Sequence, residues 1–137
     1  MTITRAATNY VYPTTKEKEI LTSPSYLIKF VADDAKNVRY CSSTDSSPAI
    51  DRYQKLTIVE TNTPTAMTNQ VKLDMSKSWK YFIYEISALD LASLITYTGA
   101  EVGLTEVERG RVRVRDSSST SLNTYTGYQT TYNVYGG

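Results

Sequence analysis

The sequence predicts an all-β domain, an antiparallel β-sandwich with an extended arm at each end. Three features point there. Apolar residues recur with a period of two in one run after another, the spacing of an extended strand rather than a helix. Clusters of Pro, Asn, Asp and Ser separate those runs at short intervals, as the loops of a sandwich do. The 137 residues also include 14 Ser, 20 Thr and 12 Tyr, and Thr and Tyr favour pleated surfaces.

Residues 1–16 carry Tyr10, Tyr12 and Pro13 in a polar setting and read as an N-terminal arm. Residues 17–21 are a weak edge-strand candidate closed off by Pro24. Residues 26–31 place Tyr26, Ile28 and Phe30 on one face of a strand. A polar turn over residues 33–37 leads to a hairpin partner at 38–41. Residues 54–60 alternate again, with Leu56 and Ile58 inward and Lys55 and Thr57 outward. Residues 79–86 are apolar on both faces, which suits a central strand. Residues 88–95 put Leu91, Leu94 and Ile95 at helical spacing, leaving a short helical turn, an irregular strand or a loop as readings. Residues 109–115 alternate cleanly, Val inward and Arg outward, and the turn clusters fall at 42–48, 61–64 and 74–78. Residues 116–137 hold Tyr125, Tyr128, Tyr132 and Tyr135 in a Ser/Thr-rich tract that cannot repay its ordering entropy alone. Tyr is a large amphipathic contact with few rotors, so this C-terminal stretch reads as a second docking arm.

That leaves one sandwich domain over residues 17–115, long enough for a single core. Lys and Arg number 15 against 14 Asp and Glu, a net charge of +1 that lacks the electrostatic footprint of a general nucleic-acid binder. No segment is apolar enough to span a bilayer, and the first residues lack the apolar stretch of a secretory signal. No Asn-x-Ser/Thr glycosylation acceptor occurs, since the Asn62-Thr63 pair is followed by Pro64. These features fit synthesis in a cytoplasm. The single Cys41 reads as a small, semi-buried strand residue.

The chemistry-bearing patterns are few. There is no phosphate-binding glycine loop, no nucleophile elbow, and no His for a triad or a zinc site. No catalytic residue, cofactor or metal is therefore expected, and the protein reads as a non-enzyme. Glu106 and Glu108 lie two apart, but the Arg residues that follow them make charge pairing the better reading than a shared proton. Asp33, Asp34 and Asp45 read as solvated turn carboxylates, with a structural cation as the rival reading. Arg111, Arg113 and Arg115 form the sharpest charged feature: a solvated face, a protein interface or, with least support, a grip on nucleic acid. Trp79 with Tyr81 and Tyr84 reads as core, against a sugar-binding aromatic platform.

Several phrases taken together resemble a known group. The opening Asn9-Tyr-Val-Tyr-Pro-Thr-Thr-Lys-Glu-Lys18, Pro24-Ser-Tyr-Leu-Ile-Lys-Phe30 and Asp51-Arg-Tyr-Gln-Lys-Leu-Thr-Ile58 are three of them. Trp79-Lys-Tyr-Phe-Ile-Tyr-Glu85 and Gly103-Leu-Thr-Glu-Val-Glu-Arg-Gly-Arg-Val-Arg-Val114 complete the set. They resemble small virion proteins encoded among the head genes of tailed phages, including crAss-like phages and relatives infecting Bacteroidetes-type bacteria. The resemblance implies an immunoglobulin-like sandwich that coats or ornaments the capsid as an auxiliary or decoration protein. It implies major capsid protein or other virion proteins as partners, many copies per particle, and no specific nucleic acid or membrane. The implied location is the virion, after synthesis in the host bacterial cytoplasm. A likeness of the Tyr-x-Ile-Tyr-Glu pattern at residues 81–85, followed by Glu-x-Gly-x-Val-x-Val at 108–114, to anchoring domains of baseplate and fibre proteins implies a tail or fibre adaptor as the alternative. A glycan-binding sandwich module is the second alternative.

Overall fold

The computed structural model describes residues 1–13, 24–46, 54–75 and 77–116. Half of these residues lie in strands: β1 (Thr2–Thr4), β2 (Ala7–Val11), β3 (Ser25–Ala32), β4 (Val38–Thr44), β5 (Leu56–Glu60), β6 (Gln70–Val71), β7 (Trp79–Ile86) and β8 (Thr105–Arg115). One short helix, α1 (Ala88–Ser93), precedes β8. Two sheets form, one ordered β1-β8-β7-β3-β4 and one ordered β2-β5-β6, and together they curl into a half-barrel.

The all-β prediction holds, but the sheets are mixed rather than antiparallel. β1 runs parallel to β8 and β5 runs parallel to β6. Neither pair is joined by a tight hairpin, so nothing in the connection imposes the antiparallel direction. The hairpin of β3 and β4 forms as the alternation predicts, with Ile28 opposite Cys41. Its turn is held by Asp34, whose Oδ1 accepts from the Lys36 N–H at 2.9 Å, and by Ala35 in the left-handed region at φ 59°. β7 is the central strand its composition suggests, flanked by β3 and β8. Tyr26, Ile28, Phe30, Leu56, Ile58, Trp79, Ile83, Val107 and Val112 fill the core between the sheets.

Residues 1–13 correct the reading of residues 1–16 as an arm. β1 extends the larger sheet, β2 starts the smaller one, and Ile3 is 0% exposed within the core. The chain switches sheets at Ala6, which sits at φ 54°. Glu60 closes that corner: Oε1 accepts from the Ala6 N–H at 2.8 Å and Oε2 from the Leu73 N–H at 2.9 Å. The corner was not legible because it depends on a carboxylate fifty-four residues away.

Of the readings for residues 88–95, the helical turn is the one that forms. Ser87 caps α1, its Oγ accepting from the Asp90 N–H at 3.1 Å. Leu91 and Leu94 pack against a second apolar cluster of Leu27, Ile86 and Tyr97 on the outer face of the larger sheet. Ile95 points to solvent, because the helix stops at Ser93 and the helical spacing lapses. The edge-strand candidate at 17–21, residues 47 and 48 of one turn cluster, and Tyr125, Tyr128, Tyr132 and Tyr135 lie outside the described residues.

Candidate functional site

Among the described residues, strand pairing along β8 differs between its two sides. β7 pairs with β8 from Thr105 to Val112, while β1 pairs with it only at Arg113, Val114 and Arg115. Below β1 a cleft of about 360 Å³ opens between β8 and the edge strand β2. Tyr10, Tyr12, Tyr81 and Glu108 are among its walls. Tyr10 and Tyr12 are 54% and 59% exposed; alternation on β2 turns Asn9 and Val11 inward and the Tyr10 ring out, and Tyr12 follows the end of the strand. Lys55 lies over the Tyr10 ring, 4.3 Å from its centroid.

Tyr81 reaches this seam from β7. Its hydroxyl donates to Glu108 Oε2 at 2.6 Å, and its ring occupies the space above Gly110. Burial, and then the Glu108 carboxylate, push the Tyr81 hydroxyl well above the ordinary phenol pKa. Tyr81 is therefore a neutral donor at any physiological pH.

Beside the seam, the outer face of β8 carries the basic ladder. Arg111, Arg113 and Arg115 are exposed, as the alternation predicts, and Val112 is buried beneath them. Arg109 is occupied: its Nε and Nη2 fork onto Glu106 at 2.6 and 2.9 Å, and its guanidinium stacks 5.3 Å from the Phe82 centroid. Arg111 stands directly opposite Lys80 on β7, and the Asp33 carboxylate is 4.0 Å from its guanidinium. Like charges facing each other across a ladder are unfavourable. Lys80 and Lys77 enlarge the basic region beyond what one strand reveals, because cross-strand neighbours are set by register. A cleft of about 540 Å³ borders it, lined in part by Lys77, Arg111 and Arg113.

The connection from α1 to β8 folds over the other end of the same sheet face. Glu101 accepts from Lys29 Nζ at 2.7 Å and from the Tyr40 hydroxyl at 3.1 Å. Burial opposes ionisation of Glu101, but these donors outweigh it and hold its pKa below the usual value. Hydrogen bonding to Glu101 in turn raises Lys29. The Tyr97 hydroxyl shares a hydrogen bond with Ser42 at 2.8 Å, pinning the strap from its middle. The apolar outward residues of β3 and β7 are thus hidden at one end of the sheet, and the basic face remains open at the other.

The remaining candidates separate. Trp79 is 1% exposed and its Nε1 donates to the Asp74 carbonyl at 2.9 Å, so the ring is core and offers no platform for a sugar. Glu106 and Glu108 take different partners, Arg109 and Tyr81. Asp34 holds the hairpin turn, Asp45 accepts from the Lys55 N–H at 3.0 Å, and Cys41 is wholly buried, which raises its thiol pKa. Among the described residues no group of three or more His, Cys, Asp or Glu converges. Of the predicted site residues, the structure gathers Tyr10 and Tyr12 at the seam and the three arginines on the adjoining face. No protein family, curated protein or solved structure matches this chain.

Proposed function

We propose that this protein is a structural virion protein, an auxiliary or decoration protein on the head of a tailed bacteriophage, acting by docking to other virion proteins. The observation that carries this reading is two exposed tyrosines, Tyr10 on the edge strand β2 and Tyr12 just after it, set beside the strand β8 with its exposed arginines. Tyr and Arg are the residues in which protein interfaces are enriched, and a rigid sheet presents them with little entropy to lose on binding. The resemblance in the sequence supplies the virion context, with major capsid protein as the partner and many copies per particle. Repetition over a symmetric shell multiplies contacts that are individually weak.

The finer reading of the fold is an immunoglobulin-like sandwich. The order β4-β3-β7-β8 corresponds to the C′-C-F-G side of a variable-type domain, and the antiparallel β2 and β5 to its B-E pair. In this assignment Trp79 lies on the strand equivalent to F, and hydrogen bonding to Asp74 anchors it in place of a disulfide.

Particles assembled with tagged protein test the function. Tyr10→Ser with Tyr12→Ser, or Arg111→Glu with Arg113→Glu, should lower occupancy on heads at least tenfold, about 1.4 kcal/mol of docking free energy. Undiminished occupancy by both double variants, or a wild-type chain that never sediments with particles, would overturn the reading. Recovery of the chain in tail fractions alone would favour the fibre-adaptor role instead.

A further inference from the structure

We propose that the outer face of β8 is a carboxylate-reading strip, on which Lys80, Arg111, Arg113 and Arg115 receive an extended acidic segment of a partner virion protein, with Asp or Glu at every second position. The inference rests on the reading of this protein as one that docks to virion proteins, and it names the chemistry of the segment that is gripped.

The strip follows from the register. Alternation along β8 sets Arg109, Arg111, Arg113 and Arg115 on one face, about 7 Å from one to the next. β7 adds Lys80 directly opposite Arg111, and β1 adds Thr2 and Thr4 beside Arg113 and Arg115. Both threonines turn to this face because Ile3, between them, enters the core. On β1, therefore, Arg113 and Arg115 have hydroxyl rather than carboxylate neighbours.

Arg109 shows what such an arginine takes. Its guanidinium forks onto Glu106 at 2.6 and 2.9 Å. The series goes no further within the chain. Glu101 is held by Lys29, and Asp34 by Lys77 and the hairpin turn. Asp33 comes to 4.0 Å from Arg111, with both side chains more than half exposed, which is too loose for a fork. Among the described residues Lys80, Arg113 and Arg115 form no ion pair. Arg111 and Lys80 face each other as like charges, an arrangement that is unfavourable until an anion stands between them.

Pitch and charge select the occupant. An extended segment also repeats its alternate side chains every ~7 Å, so carboxylates at every second position meet Arg111, Arg113 and Arg115 in turn. The cleft of about 540 Å³ lined in part by Lys77, Arg111 and Arg113 gives one of them a concave seat among three cations. Contact runs through side chains on the face of the sheet, so the strand ladders stay as they are. A nucleic acid fits less well. Its bases need rings to stack on, whereas Phe82, opposite Arg109 in the ladder, is taken by that guanidinium. Asp33, Asp34 and Glu106 also border the strip and would repel phosphates.

An NMR titration of the full chain with the peptide Glu-Thr-Glu-Thr-Glu-Thr-Glu tests this, beside the same peptide with Gln for Glu and an oligothymidylate of equal length. The acidic peptide should shift the side-chain Nε–H signals of Arg111, Arg113 and Arg115, bind at least tenfold more tightly than the Gln peptide, and weaken as salt is raised. Arg113→Glu should lower its affinity at least tenfold, while Lys72→Glu, the same charge change just after β6 on the smaller sheet, should alter it less than twofold. Arg111→Lys with Arg113→Lys keeps the charge but removes the fork, and should weaken binding at least threefold. Melting transitions are compared throughout; if Arg113→Glu fails to fold, the lysine variant decides. No shift at these arginines, equal binding of the acidic and Gln peptides, equal loss in Lys72→Glu, or undiminished binding by the lysine variant overturns the proposal. Tighter binding of the oligothymidylate at the same signals also overturns it, in favour of a nucleic-acid site. So does binding that appears only after Glu17→Gln with Glu19→Gln, which would mean that the chain's own acidic residues occupy the strip. These readouts use the isolated protein: their failure leaves docking through Tyr10 and Tyr12 on phage heads standing, and absence of the chain from heads leaves the strip's preference for carboxylates standing.

Discussion

Tyr81 and Gly110 are matched in size across the β7–β8 ladder. A Cβ at position 110 would lie 2.8 Å from Tyr81 Cε1, closer than packed atoms tolerate. Gly110→Ala should therefore cost about 1–3 kcal/mol of stability in chemical denaturation, by displacing a ring that is hydrogen-bonded to Glu108 and cannot swing freely. A loss below about 0.5 kcal/mol, the range of ordinary surface substitutions, would contradict this contact. Asp34 makes a second prediction. The Lys36 backbone N–H first, and Lys77 next, hold its pKa at about 2 rather than the ordinary 3.8. Its folded pKa is depressed, so its contribution is fully present above 3.8 and disappears as pH falls toward about 2. A carboxyl titration followed by NMR should place the Asp34 midpoint near 2, and Asp34→Asn should remove the corresponding acid sensitivity of the hairpin. At this scale the sequence is eloquent about types: a polar turn rich in Asp, outward arginines, an inward Trp. The identity of the atom each one meets comes from its neighbours in space.

The strap that joins α1 to β8 is an element held by polar contacts as much as by packing. Lys29 and Glu101 close it, with Tyr40 and Tyr97 alongside. Glu101 is lowered, so its share of the closure is present above its ordinary 4.5 and lost as pH falls through the lowered value. Lys29 is raised, so its share is present below its ordinary 10.5 and lost as pH climbs through the raised value. The free energy of local opening over residues 96–104, measured by hydrogen exchange, should be level between these limits and fall outside them. Glu101→Gln should erase the acid limb and weaken the closure throughout. The strands were legible because alternation is a property of a few consecutive residues. The strap was not: its apolar residues, Leu91, Leu94, Tyr97, Ala100 and Leu104, follow no single period, since they belong to a helix end and a series of turns. The irregularity of register at Ile83 and Tyr84 was equally hidden, because a bulge is a relation between two strands.

At the scale of the whole molecule, the ends of the described chain are tied together. β1 and β8 pair although they are separated by nearly all of the described sequence, and the carboxylate of Glu60 staples the β1–β2 corner to the smaller sheet. Ile3→Ala should therefore cost about 2–5 kcal/mol, the value for a buried large-to-small change. A free arm residue at that position would cost less than about 0.5 kcal/mol, so the measurement separates the two descriptions of residues 1–13 directly. Such pairing is also slow to form, because a long loop must close before the contact rewards it. Tyr10 and Tyr12 keep the exposure expected of docking residues, but the first stands on strand β2 and the second directly follows it, rather than lying on a loose extension.

By itself the sequence determined the strand class, the β3–β4 hairpin, the central place of β7, the inward and outward faces of β8 and the tyrosines and arginines that face solvent. Each of these follows from short-range spacing, which dictates the side of a strand on which a residue stands. Only the tertiary structure decided that the first strand joins the last in parallel and that Ile3 completes the core. It also decided that a strap packs over one end of the larger sheet and that a seam opens between β2 and β8. These outcomes depend on which distant edges meet when the total burial is greatest, and no local pattern encodes that sum.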